Sequence, residues 1–330
     1  MKKQIIAAAV AASVSAVAVA DISITGSAKY EYLYTDYSDT TMSKNESNTE
    51  MKLAVKGKNG DTGVFIGLEL DGSDVEDNGA ERLDVEDMYL TTKVGDINVK
   101  AGNWTAGSGN LMGELLNRTR ASNKVDLSTT LGGVKVYAGN SGTAGDGFGA
   151  LNAEMYAGAV FNVAGATVEA KHVSPTEDAF GIKGELGGVT YRVETRSHDT
   201  ANSDATFAEF GTKIGGMGVS YAMINSDPGV VTEDDSAIFA IEMGHGAVSA
   251  TTDDAQQQVT VTTSVDGNNL TFKAGTIDNA FGAAKDLDYM QVVAARPLAS
   301  GATATVTYTD WDTSTSASTE TLEIDLSVSF

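Results

Sequence analysis

The chain has 330 residues, with 45 Asp and Glu against 22 Lys and Arg, a formal net charge of -23, no Cys, three His and three Pro. A chain this acidic repels phosphate backbones, which argues against a nucleic-acid partner, and without Cys there are no disulfides, thiolate metal sites or cysteine nucleophiles. Its 42% hydrophobic share is too high for a disordered acidic chain, and its length suits either two domains or one long all-β barrel.

Met1-Lys2-Lys3 is a short basic start, and Ile5 to Ala20 follows without a charge. Ala18-Val19-Ala20 fits the small-residue pattern of a cleavage site, so residues 1–20 read as a secretory signal peptide and 21–330 as one exported domain. After Ala20 the longest unbroken apolar run is five residues, Ala237 to Ile241. A spanning helix needs about 20, so none is expected.

The spacing that recurs is two. Ile22, Ile24, Ala28, Tyr30, Tyr32 and Tyr34 alternate with polar neighbours at the start of this domain. Leu322, Ile324, Leu326, Val328 and Phe330 do the same at its end. Each is a strand with one oily face and one wet face. Between them, alternating runs come in pairs across tight turns: Asn59-Gly60, Gly95-Asp96, Gly132-Gly133, Ala164-Gly165, Gly187-Gly188 and Gly215-Gly216. Further turns are expected at Gly244-His245-Gly246, at Asp266-Gly267-Asn268 and near Ser300-Gly301. Nine hairpins and two terminal strands make 20. Because 20 strands leave little chain for loops, the expected barrel has an even count between 16 and 20. Pro175, Pro228 and Pro297 all fall in expected loops or turns.

The other connections, 38–48, 71–82, 140–150, 226–235 and 310–319, are longer and polar. Short turns at one end and long loops at the other are the asymmetry of a transmembrane antiparallel β-barrel. A soluble β-sandwich shares the alternation but not this sorting of connections by length.

Charged residues keep to one parity. Glu50, Lys52, Lys56 and Lys58 share a face, as do Arg192, Glu194 and Arg196. The pairs Lys183 and Glu185, Glu169 and Lys171, and Glu209 and Lys213 behave likewise. A Lys or Arg facing lipid near the midplane costs roughly 2–4 kcal/mol. Lys52, Lys56, Lys183, Arg192, Glu194, Arg196, Glu209 and Lys213 are therefore assigned to the lumen. A closed dry core would bury all of these charges, so the interior is read as wet, with charged inner faces around the whole chain.

Three places resemble the general porins of the Gram-negative outer membrane. They are the opening Asp21-Ile22-Ser23-Ile24-Thr25-Gly26-Ser27-Ala28, the last strand ending in Phe330, and Gly102-Asn103-Trp104 followed by a loop and Arg118, Arg120, Asn123 and Val125. The resemblance implies a passive water-filled channel in the outer membrane, often a homotrimer, with neither cofactor nor metal. It also implies a terminal Phe330 strand that the barrel-assembly machinery reads, and an inward-folded loop, here 105–119, that narrows the pore. The constriction residues it matches are Glu114 on that loop and Arg118 and Arg120 at its end. Two departures stand out: Thr105 to Asn117 is short, and of the Pro-Glu-Phe-Gly-Gly pattern only Gly113-Glu114 is present. Arg118 and Arg120 fit a strand-end pair at the headgroup level equally well.

The leading function is passive diffusion of small hydrophilic solutes and ions, with cations preferred. That preference rests on an acidic outer mouth of Asp71, Asp74, Glu76 and Asp77 in one segment and Asp227, Glu233, Asp234 and Asp235 in another. Divalent cations could bridge such carboxylates to lipopolysaccharide. Asp74-x-Glu76-x-Asn78-Gly79 resembles a calcium loop only faintly, because Val85 stands where a bidentate Glu is needed. A substrate-selective channel would line its lumen with aromatics, whereas Tyr30, Tyr32 and Tyr34 have the lipid-side parity of an interfacial girdle. A barrel-embedded hydrolase would need His172, His198 or His245 beside a nucleophile, and no nucleophile motif accompanies them. An adhesin would need loops large enough to form a domain, which these are not.

Overall fold

The computed structural model describes residues 21–37, 43–71, 83–105, 120–140, 155–173, 177–198, 204–226, 254–280, 285–313 and 318–330. β1 (Asp21–Tyr37) leads to β2 (Ser43–Asn59), which turns back as β3 (Thr62–Asp71). β4 (Leu83–Val94) turns into β5 (Ile97–Thr105), β6 (Arg120–Leu131) into β7 (Val134–Asn140), and β8 (Met155–Val163) into β9 (Ala166–Val173). β10 (Glu177–Leu186) turns into β11 (Val189–His198), and β12 (Ala205–Ile214) into β13 (Met217–Ser226). β14 (Asp254–Val265) turns into β15 (Asn268–Ala280), β16 (Lys285–Pro297) into β17 (Ala302–Thr313), and β18 (Ser318–Ser329) ends the chain. Every strand pairs antiparallel with its sequence neighbours, and β18 pairs with β1, so the sheet closes on itself. The fold is all-β, a transmembrane antiparallel barrel of 18 strands.

Eight short turns gather at one end. Five of them, at 132–133, 164–165, 187–188, 215–216 and 266–267, have positive φ at both residues. That is the type I′ requirement, whose twist matches the flanking strands. Ala164 (φ 48°) and Asp266 (φ 50°) meet it without being Gly. The expected hairpin at Gly244-His245-Gly246 lies outside the described residues, but β13 and β14 are hydrogen-bonded directly to each other. No further strand fits between them in the wall, and the count is 18 rather than 20.

Two expected loops are shorter than read. Residues 43–48 belong to β2, and 310–313 and 318–319 belong to β17 and β18. Polar Ser, Asn and Glu there resemble loop residues, yet β1 and β2 are 17 residues each, against about 9–11 needed to cross the bilayer. Beyond the membrane both faces of a strand meet water, so the alternation fades while the ladder continues. Pro297 is likewise the last strand residue of β16 rather than a turn residue, at a position where no ladder donor is missed.

Parity separates the two surfaces. Ile24, Leu90, Leu131, Phe272, Leu326 and Phe330 are among the exposed apolar side chains that point outward, as a lipid-facing wall requires. Tyr30 is outward as well. At the closing seam Gly26 and Phe330 exchange backbone N–H···O bonds of 2.8 and 2.9 Å. A Cβ on Gly26 would stand 2.8 Å from the Phe330 ring and 2.7 Å from the Lys52 carbonyl. The missing side chain lets the last residue lie over the first strand.

Candidate functional site

The inward face of β2–β6 carries one column of alternating cations and rings. Lys56, Phe65, Tyr89, Gly102 and Lys124 are register partners in turn across these five strands. The Phe65 and Tyr89 rings stack with centroids 4.9 Å apart and planes 17° from parallel. Tyr89 and Trp104 meet edge to face at 6.1 Å. Lys56 Nζ stands 5.7 Å from the Phe65 ring, and Lys100 Nζ stands 3.9 Å from Tyr89 and 4.4 Å from Trp104. Lys124 Nζ closes the column 4.8 Å from Trp104. These are cation–π distances, within about 6 Å of a ring centroid.

A missing side chain makes the column possible. The β5–β6 register shifts between Gly102 and Trp104, and Gly102 has φ 139°. Any Cβ there would run into the Met88 carbonyl and Tyr89, so only Gly lets β5 approach β4 closely enough. Trp104 shares the inward parity of Lys100 and Gly102, the extra residue of the shift being on β6, and it is buried between Lys100 and Lys124.

Other inward tyrosines lie flat because a Gly faces each of them. Tyr137 is opposite Gly158, Tyr156 opposite Gly139, and Tyr289 opposite Gly275. A Cβ on Gly139 would stand 2.6 Å from the Tyr156 hydroxyl, and one on Gly275 would stand 2.6 Å from that of Tyr289. The rings are thus held along the wall instead of across the lumen. Their hydroxyls then reach acceptors: Tyr137 donates to Glu169 at 2.5 Å and Tyr156 to Asp126 at 2.9 Å.

Farther round, cations are held by acids. Arg192 donates to Glu194 through Nε at 2.6 Å, with Nη2 at 2.5 Å from the same oxygen, and stacks over Phe207 at 5.2 Å. Arg196 reaches Glu177 at 2.8 Å. Lys52 pairs with Glu50 at 3.0 Å and Glu69 at 3.5 Å, and Lys29 with Glu31 at 2.6 Å. Lys183, Arg192 and Glu209 are register partners on β10, β11 and β12, and Lys213 stands opposite Gly218.

The expectation of charged inner faces around the whole chain does not hold. On β13–β17 the inward positions are Gln256, Gln258, Gln291, threonines and apolar residues, and among the described side chains only Lys273 is charged. Tyr289 donates to Gln258 at 3.0 Å, and Gln291 to Thr309 at 3.1 Å. Ile277, Leu287 and Tyr289 form a buried cluster with Trp311 packed against it. Here the wall is satisfied by amides and hydroxyls, so no charge is needed.

Of the sequence-assigned constriction, Glu114 and Arg118 lie outside the described residues, as does most of 105–119, and Arg120 is placed only as the first residue of β6, paired with Thr105. Asp71 ends β3. Asp74, Glu76, Asp77, Asp227, Glu233, Asp234 and Asp235 lie outside the described residues, as do residues 1–20. The inward aromatics Phe65, Tyr89, Tyr137 and Tyr156 were missed. Their signal is parity, since Tyr89 is two residues from Asp87 and Phe65 four from Glu69, so each shares a face with a carboxylate.

His172 tests the hydrolase alternative. Its Nδ1 is 2.8 Å from Asp178 Oδ1 on the outward face, but the register position on its other side is Ala157, which offers no nucleophile. His245 lies outside the described residues and His198 ends β11. For a cation, Glu31, Glu323 and Asp325 bring ligand oxygens within 4.8 Å of one another. The Lys29 ammonium already supplies a positive charge at Glu31.

No protein-family model matches the chain, and no curated protein matches its sequence. Solved structures do match its fold. Pseudomonas aeruginosa OpdL aligns over 94% of this chain and 99% of its own with TM-score 0.68 at 12% identity. OccK11 (OpdR) of the same species aligns over 94% and 96% with TM-score 0.66 at 10% identity. Acinetobacter baumannii OccAB4 aligns over 94% and 98% with TM-score 0.63 at 10% identity. At these identities the likeness concerns fold, and it does not single out the general porins that the terminal strands resemble. The closed sheet of 18 strands, its apolar outer wall and its polar inner wall share the architecture of outer-membrane porin barrels.

Proposed function

We propose that the chain is a channel of the Gram-negative outer membrane that selects among small hydrophilic solutes. This reading replaces unselective diffusion as the leading one. The observation that carries it is the inward column Lys56, Phe65, Tyr89, Lys100, Trp104 and Lys124. Unselective diffusion needs only water in the lumen, whereas rings and ammoniums held at fixed positions offer passing solutes a patterned surface. The fold likeness to the Opd and Occ barrels supports a channel rather than an enzyme.

Liposome-swelling rates test it. A panel of neutral, anionic and cationic solutes of matched size should enter at clearly different rates, and Trp104→Ala should flatten the differences. A series ordered by size alone would return the chain to general diffusion. The cation preference belongs to this reading as well, through the acidic segments 71–82 and 226–235. A reversal potential of anionic sign in a salt gradient contradicts it. The reading further assigns export by residues 1–20, assembly through the strand ending in Phe330, a surround of lipid and lipopolysaccharide, and a homotrimer. Single-channel closures in three equal steps check the last.

A further inference from the structure

The lumen cations differ in what holds them. Lys29, Lys52, Arg192 and Arg196 each have a carboxylate within 3.0 Å. Toward the turn-side mouth Lys56, Lys58 and Lys93 form no ion pair among the described residues, and Lys100 is held by rings. These four line one cavity of about 530 Å³ at the inner ends of β2–β6. Its acids are Asp61 and Asp126, so four ammoniums face two carboxylates, a net charge of +2. Asp126 already accepts the Tyr156 hydroxyl.

We propose that this cavity binds a small multivalent oxyanion of the phosphate class at the turn-side mouth. A ring quadrupole positions an ammonium without cancelling its charge, unlike a carboxylate, which does both. Phe65 and Tyr89, stacked on each other, hold Lys56 and Lys100 on opposite outer faces of the pair and leave both charges available. Lys58 and Lys93 sit one residue inside the closing pairs Asn59–Thr62 and Val94–Ile97 and complete the rim. Lysine binds phosphate as a point charge with three donors. Lys58 and Lys93 stand on β2 and β4, two strand spacings of about 5 Å apart, so their flexible stems can converge on the several oxygens of one anion, while Lys56 and Lys100 add positive potential from β2 and β5. The loop segments 71–82 and 226–235 are acidic in sequence instead, so the anion affinity is expected to be one-sided.

The proposal rests on the channel reading only for the sidedness of the effect. Two measurements separate them. Line broadening of the ³¹P resonance of inorganic phosphate by the detergent-solubilised barrel, at constant ionic strength, reports binding without conductance. The apparent dissociation constant should rise about tenfold in the Lys58→Gln, Lys93→Gln double variant, as expected for lost charge-assisted hydrogen bonds. It should not move in Arg296→Gln, which removes an outward charge at the same level. Heat-modifiable gel mobility checks that each variant is folded. In planar bilayers, phosphate on one side should lower conductance more than on the other, and the difference should vanish in the double variant. Broadening that is unchanged by the double variant overturns the site, and so does conductance indifferent to phosphate. A barrel that never conducts but binds phosphate through these lysines keeps the site and removes the channel.

Discussion

Along β2–β12 the inward positions alternate cations, carboxylates and rings, whereas along β13–β17 the described ones hold amides, hydroxyls and apolar groups, with Lys273 the one charge among them. Outside, the two arcs are alike: Leu90 and Leu131 on the first are as exposed and apolar as Phe272 and Met290 on the second. Lipid imposes one chemistry on every outward position. It imposes nothing on the inward ones, and the difference between the arcs therefore belongs to what the lumen does.

Removing one charge should break the comparison most sharply. Glu194 is fully buried against Arg192 and Phe207. Glu194→Ala should cost about 3 kcal/mol, the low end for a broken buried pair, because Glu209 faces Arg192 from the next strand. The matching change on the neutral arc, Gln258→Ala, deprives the Tyr289 hydroxyl of its acceptor and should cost about 1 kcal/mol. Denaturant midpoints of the folded barrel measure both, and equal losses would mean that the charged arc is no more dependent on its pairs than the neutral one.

The arcs should respond alike to a second change. Gly158→Ala and Gly275→Ala each place a methyl where a tyrosine ring lies, Tyr137 in one arc and Tyr289 in the other. Each should cost about 1–3 kcal/mol by overpacking and should lower single-channel conductance as the ring swings off the wall. A loss confined to one arc would show that the flat tyrosine is not a device common to both.

The smallest effect is expected at Lys52, about half exposed between Glu50 and Glu69. Lys52→Gln should change stability by less than about 1 kcal/mol, as exposed pairs do. A larger loss would mark the pair as structural.

Much of this barrel was legible beforehand, and particular residues show why. Leu322 to Phe330 and Glu50 to Lys58 declare their faces by parity alone, and Gly132-Gly133 declares its turn by the φ that the turn requires. The missing signal concerned residues that meet across strands. Tyr89 reaches Phe65 and Lys100 only through two registers, one of them on a strand pair whose ladder shifts at Gly67. Trp104 has the parity of Lys100, but it meets Tyr89 only because Gly102 lets β5 close onto β4. The tyrosines that parity made visible, 30, 32 and 34, face outward, and those that line the lumen stand opposite glycines on neighbouring strands.

The sequence by itself determined that the chain forms a barrel, where most of its strands turn, and which face of its most regularly alternating strands meets lipid. Those properties act on each residue separately, because a bilayer penalises a misplaced charge wherever it lies along the chain. Tertiary structure alone decided that there are 18 strands, that among the described residues the inward charge apart from Lys273 lies on one arc, and that lysines and rings stack into a column. Such contacts depend on register summed over many strands, and a single bulge is enough to reassign them.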